Sequence, residues 1–175
     1  MRKILVIVDV QNDFVDGSLG TQGAVNIIPN LIDKIKNWDG DIIITKDTHG
    51  DKYLETAEGK KLPVEHCIDG TEGHNINKDV FAELLYTGIN FLTLAKRTFG
   101  STALPEIIRG IDIESIELVG LCTDICVISN ALILKANYPE IPIIVDASCC
   151  AGVTPEKHKA ALEVMKSCQI DVIGE

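Results

Sequence analysis

Lys3-Ile4-Leu5-Val6-Ile7-Val8-Asp9 sets five branched aliphatic residues in a row between a cation and a carboxylate. A run so short and so uniformly apolar fits a strand buried on both faces, the kind found inside a parallel sheet. Met1-Arg2-Lys3 ahead of it imitates the start of a signal peptide. Asp9 interrupts the apolar run at once, however, and no small-residue cleavage site follows, so a strand in a cytoplasmic protein is the expectation.

Similar runs recur along the chain at Asp41–Lys46, Phe91–Lys96, Ser115–Leu121, Pro142–Asp146 and Ile170–Ile173. Amphipathic stretches separate them. Val25–Trp38 carries Ile27, Ile28, Leu31, Ile32 and Ile35 at helical spacing, with Pro29 near its expected start. Val80–Tyr86, Leu104–Arg109, Asp124–Ala136 and Pro155–Ser167 supply four more helices, the last with Thr154 as N-cap. Strand alternating with helix predicts βαβ units, hence a three-layer α/β/α domain over residues 1–175 with a six-stranded, mostly parallel sheet.

Composition narrows the function. The chain has 175 residues, 46% of them hydrophobic, enough for one full-sized core, and a formal charge of −10. No run of Lys and Arg offers the basic patch that nucleic acid requires. No stretch approaches the roughly 18 consecutive apolar residues of a membrane helix. The six cysteines are not needed as disulfides in a chain this apolar, and no C-x-x-C pair suggests a zinc ribbon.

The polar residues that end the strands carry the chemistry. The first strand runs into Asp9, the third into Lys96, and the fourth into Cys122-Thr123-Asp124, with Cys126 just inside the following helix. In open parallel sheets, ligands bind at the carboxyl ends of strands where the strand order reverses. A central first strand would make Asp9, Lys96 and Cys126 converge there. The amides of a helix start lower a thiol pKa and can hold an oxyanion, Lys96 would favour the thiolate, and Asp9 could shuttle a proton. Singly, each residue reads as a buried cysteine, a turn aspartate or a surface lysine; it is the combination that points to catalysis.

Two segments break the rhythm. Gln11–Gly23 is a loop whose Gly17-x-x-Gly20-x-x-Gly23 has the wrong spacing for a dinucleotide fingerprint and suggests positive φ angles instead. His49–Asn77 is a long irregular insertion, a length usually reserved for function. Asp47, His49, Glu58 and His66 form a mixed N/O set suited to Zn²⁺, Mn²⁺ or Fe²⁺, with Glu55 or Glu65 able to replace Glu58 on spacing alone. The competing reading is a solvated acidic loop. His74 and His158 have no obvious companions and read as surface residues; Cys149-Cys150 reads as packing rather than as a redox pair.

Several of these pieces together resemble the isochorismatase-like cysteine hydrolases, which include nicotinamidases and carbamoyl amidohydrolases. The matching motifs are Val8-Asp-Val-Gln-Asn-Asp-Phe14, Thr45-Lys-Asp-Thr-His49, Glu65-His-Cys67 with Gly70-Thr-x-Gly73, Lys96-x-x-x-Gly-Ser101 and Gly120-x-x-Thr-Asp-x-Cys-Val127. The resemblance implies a triad of Asp9, Lys96 and Cys126. It also implies an oxyanion site at Cys126 and its neighbour Ile125, with a cis peptide at Cys122–Thr123. Members without the cysteine cleave a vinyl ether, so Cys126 implies an amide or carbamoyl substrate. Similarity to nicotinamidases further implies Asp47, His49, Glu58 and His66 as metal ligands, zinc foremost. Phe14 and Leu62 would be walls for the substrate ring, and a homo-oligomer the assembly. The reading is hydrolysis of a small ring carboxamide such as nicotinamide. An N-carbamoyl hydrolase is the alternative within the family, and a redox or binding α/β protein the alternative outside it.

Overall fold

The computed structural model describes residues 1–175. Its strands are β1 (Arg2–Val8), β2 (Asp41–Asp47), β3 (Phe91–Lys96), β4 (Ile113–Leu121), β5 (Ile143–Ala151) and β6 (Asp171–Ile173). They form one sheet in the order β3-β2-β1-β4-β5-β6, and every neighbouring pair is parallel, where a mostly parallel sheet was expected. The order reverses between β1 and β4. That switch point is where such a sheet opens a crevice beyond its carboxyl edge.

The alternation of side chains along β1 builds both outer layers. Ile4, Val6 and Val8 enter one core, shared with α5 (Ile128–Asn137) and α6 (Pro155–Ser167). Leu5 and Ile7 enter the other, shared with α2 (Gln22–Lys36) and α3 (Lys78–Thr87). Two short helices, α1 (Asn12–Val15) and α4 (Ala103–Ile107), complete the set. The same alternation separates Cys149 from Cys150, which enter opposite cores and so cannot pair with each other.

Several boundaries differ from expectation for physical reasons. Thr21 Oγ1 accepts from the Ala24 amide at 3.0 Å, starting α2 three residues early. Pro29 therefore lies inside α2 on its exposed side, where water can reach the carbonyl it leaves unpaired. β5 continues to Ala151 because Cys150 and Ala151 pair with Gly120 and Leu121 across a register shift. Asn12–Val15 forms a helical turn inside a segment read as loop. None of Gly17, Gly20 and Gly23 has positive φ. Gly17 and Gly20 are required by close approach instead, since a Cβ would lie 2.7 Å from Asp13 Cα and 2.6 Å from Asp16 Cα.

Candidate active site and metal centre

Asp9 leaves β1 in the left-handed region (φ 48°), sparsely populated by residues other than glycine. Its amide donates to the Thr45 carbonyl, and its Oδ1 accepts from Thr45 Oγ1 at 2.7 Å. Lys96 ends β3, two strands away from β1 and so roughly 10 Å distant at the usual strand spacing. Only a long side chain can cover that distance. Lys96 lies over β2 and brings its Nζ to 2.6 Å from Asp9 Oδ2, 3.6 Å from Cys126 Sγ and 3.6 Å from Asp47 Oδ1. Asp9, Lys96 and Cys126 are all buried. The Lys96 ammonium thus meets Asp9 through Oδ2, while Thr45 holds Oδ1.

Cys126 lies in a π-helical turn, Thr123–Val127, that leads into α5. The amides of Ile125 and Val127 both donate to the Cys122 carbonyl, at 3.0 and 3.1 Å. The Ile125 amide is therefore engaged and unavailable to an oxyanion, contrary to expectation. The cis peptide joins Leu121 to Cys122, one bond before the expected Cys122–Thr123 position. The Cys122 amide makes no hydrogen bond within the chain. Thr123 Oγ1 is bonded to His158 Nδ1 of α6 at 2.7 Å, and Asp124 Oδ1 accepts from the Val153 amide at 2.9 Å, so α6 and the loop before it brace this turn.

The electrostatics differ from the expectation that Lys96 favours the thiolate. Burial, with Asp9 alongside, pushes the Cys126 thiol well up despite Lys96. Burial also raises the Asp9 carboxyl against the pull of Lys96. Lys96 is held charged by Asp9 and Cys126 although burial opposes it. One cation thus faces two groups whose ionisation burial opposes.

Asp47 closes β2 beside Lys96 in register and turns its other oxygen towards a second cluster. Asp47 Oδ2 lies 3.0 Å from His49 Nε2 and 3.5 Å from His66 Nε2. Glu58 Oε1 lies 3.8 and 3.7 Å from the same nitrogens. One ligand atom from each of the four residues falls within 4.8 Å of the others. Ligands about 2.0–2.1 Å from a tetrahedral ion stand roughly 3.4 Å apart, so the four donors fit a divalent cation. His66 Nδ1 donates to the Val64 carbonyl at 2.8 Å, which turns the Nε2 lone pair to the cluster. Burial works against the charge of Asp47, yet His49, His66 and Lys96 hold its carboxyl well below the usual carboxylate range. Glu58, and neither Glu55 nor Glu65, completes the set.

Phe14 stacks at a tilt on His66, with ring centroids 5.4 Å apart. Leu62 is 38% exposed and reaches the cluster through its carbonyl, which accepts from Tyr53 Oη at 3.0 Å. Tyr53, wholly buried, packs edge-on against His49 and His66 at 4.7 and 4.9 Å and is the core of the long loop. A cavity of about 430 Å³ opens onto His49, Tyr53, Glu58 and Arg97. His74 and His158 are not free surface residues: His74 is buried against Thr48 and Lys46, and His158 holds Thr123.

Sequence reasoning missed Thr45, Tyr53, Gln11 and Asn130. Gln11 is fully buried, donates to the Asp47 and His74 carbonyls and accepts from the Asp47 amide. The available signal was a polar residue inside or beside an apolar run, as with Thr45 after Ile42-Ile43-Ile44.

A family model described as an isochorismatase domain matches residues 3–174. The chain is 28% identical over 185 residues to a nicotinamidase/pyrazinamidase of Mycobacterium tuberculosis, covering 98% of each. It is 31% identical over 179 residues to an uncharacterised isochorismatase family protein of Bacillus subtilis, covering 93% of each. A crystal structure of a nicotinamidase/pyrazinamidase from Bacillus subtilis superposes with a TM-score of 0.86 at 25% identity, covering 98% of this chain and 99% of that one.

Proposed function

The chain belongs to the isochorismatase domain family, and from that premise we propose that it is a cysteine-dependent amidohydrolase converting nicotinamide, or a close ring carboxamide, to the acid and ammonia. The observation that carries this reading is the buried Lys96 ammonium, in contact with both Asp9 Oδ2 and Cys126 Sγ. A residue at the end of a distant strand is held there at the cost of its hydration, which a purely structural role would not need. We take residues 1–175 as one catalytic domain.

Cys126 gives its thiol proton to the Asp9 carboxylate as its sulfur bonds to the amide carbon. The charge on the carbonyl oxygen is met by the Cys126 amide together with that of Cys122. Collapse breaks the C–N bond, and the departing nitrogen takes the proton from Asp9 and leaves as ammonia. Water then adds to the thioester, giving one proton to Asp9 and releasing the acid as the C–S bond breaks. That proton returns to the sulfur. Lys96 offsets the single negative charge as it moves between oxygen and sulfur.

Asp47, His49, Glu58 and His66 would hold a divalent ion, and the two-imidazole, two-carboxylate set suits zinc, manganese or iron, with zinc put first on the likeness to nicotinamidases. Such an ion supplies a Lewis acid beside the triad that can orient a ring nitrogen of the substrate. Phe14 walls one side of that space, and Leu62 the outer side. No helix is long and apolar enough to cross a membrane. A cytoplasmic homo-oligomer remains part of the proposal.

Cys126→Ala is expected to abolish ammonia release from nicotinamide while leaving the fold intact by circular dichroism. Substantial turnover by this variant would overturn the cysteine mechanism. Turnover of N-carbamoyl compounds in preference to nicotinamide and pyrazinamide would overturn the substrate assignment but leave the mechanism standing.

A further inference from the structure

Asn130 is a fully buried polar residue on the first turn of α5, and the reaction as described does not use it. Both donors of its amide and its oxygen are engaged. Nδ2 donates to the Cys126 carbonyl at 2.8 Å and to the Phe99 carbonyl at 3.3 Å, while Oδ1 accepts from the Ser101 amide at 2.9 Å. Phe99 and Ser101 belong to the loop that leaves β3 directly after Lys96. One side chain thus ties the backbone behind the cation to the backbone of the nucleophile.

The loop is held close enough for this bridge by Gly100, where a Cβ would lie 2.6 Å from Ile133 Cδ1 and 3.1 Å from the Ser129 carbonyl carbon. Within α5 the requirement has no local origin. At this buried position an apolar residue would serve the core without the cost of burying an amide. Burying an amide is tolerable only when its partners are met, and here they are the two segments that deliver Lys96 and Cys126.

We infer that Asn130 is a positioning residue for the reaction, a bridge that sets the separation of Lys96 Nζ and Cys126 Sγ by clamping the Phe99–Ser101 loop to the Cys126 turn. The inference rests on Cys126 being the nucleophile. It adds that the geometry of the Lys96–Cys126 pair is fixed from behind, through the main chain, and not by contacts between the reacting groups alone. A displacement of about 1 Å in a reacting group can cost roughly a hundredfold in rate, so loss of the bridge should fall on kcat more than on KM.

The test compares wild type with Asn130→Ala, Asn130→Thr and Cys126→Ala for nicotinamide hydrolysis, thermal unfolding and the pH profile of Cys126 alkylation by iodoacetamide. Threonine can donate to the carbonyl four residues back, so Asn130→Thr can keep the Cys126 bond and the helix while losing both loop bonds. It therefore remains informative if the alanine variant fails to fold. The thiol faces Lys96 from β3, Asp9 beyond β1 and Asp47 from β2, none of which is altered. Expected are a ten- to hundredfold fall in kcat for folded Asn130→Thr, a KM within about threefold of wild type, and an alkylation profile displaced to higher pH as Lys96 moves away. A kcat within twofold of wild type would overturn the inference, as would a fall in kcat with an unmoved alkylation profile. Persistent turnover in Cys126→Ala would instead remove the nucleophile reading on which the inference stands.

Discussion

At the scale of single residues, Asp9 governs how the site responds to pH. Burial raises its carboxyl, Lys96 pulls it down, and Asp47 raises it again, with a net upward displacement. Acid protonates Asp9 and removes the base, so kcat/KM should fall as pH drops through a value above the ordinary ~3.9 of an aspartate. Thr45 Oγ1 bonds the charged form through Oδ1, so Thr45→Val should move this acid limb to still higher pH. A pH–rate profile of both proteins checks the direction; a limb at the ordinary carboxylate value, or one moved downward by the substitution, would count against Asp9 as the base. Asp9, Lys96 and Cys126 were legible because each stands out where an apolar run ends or a helix begins. Thr45 and Asn130 were not, because the partner of a polar residue within an apolar segment depends on which strand or loop packs beside it.

Among the elements, the junction of β1 and β4 carries a tight constraint. Gly120 has φ 116°, and a Cβ there would stand 2.2 Å from the Val8 carbonyl oxygen. The two strands meet in register at Val8 and Gly120, one residue before Asp9 and six before Cys126. Gly120→Ala must force them apart at the switch point. The expected cost is about 3 kcal/mol or more, which for a chain of this size lowers Tm by roughly 6–12 °C. Differential scanning calorimetry measures the drop, and an unchanged Tm would show that the strands can separate freely. On the other side of the sheet, Lys34 of α2 sits between Glu117 and Asp146 and pins that helix over β4 and β5. The strand cores and α6 were readable from apolar content and capping residues. The early start of α2 and the extension of β5 depend on a cap bond and on an irregular register, which periodicity does not reveal.

For the molecule as a whole, the long loop between β2 and α3 decides how much of the site is assembled. Its four donors converge because Tyr53 fills its centre and His49 pairs with Ile68 in an isolated bridge. Elemental analysis of protein purified without chelator is expected to find about one divalent ion per chain. Ion present at about a thousandfold above its Kd stabilises the fold by roughly 4 kcal/mol, so chelation should lower Tm by about 10 °C and reduce turnover with it. His66→Ala should lose the ion and show the same lowered Tm with or without chelator. A metal-free wild type of unchanged Tm and activity would reduce the cluster to loop scaffolding.

What the sequence determined by itself was the α/β class and the six strands; it also offered Asp9, Lys96 and Cys126 as the proposed triad and supplied the residue types of the metal set. These follow from local patterns of apolar runs, strand-end polar residues and motif order, and they need no knowledge of what lies alongside. The tertiary structure alone decided that Glu58 joins the cluster, that Ile125 is engaged elsewhere, and that Lys96 faces both Asp9 and Cys126. It also decided that Asn130 ties the Phe99–Ser101 loop to the Cys126 turn. Each of these depends on distances between segments far apart in the chain and on how much water their burial removes, and neither quantity is written in the local order of residues.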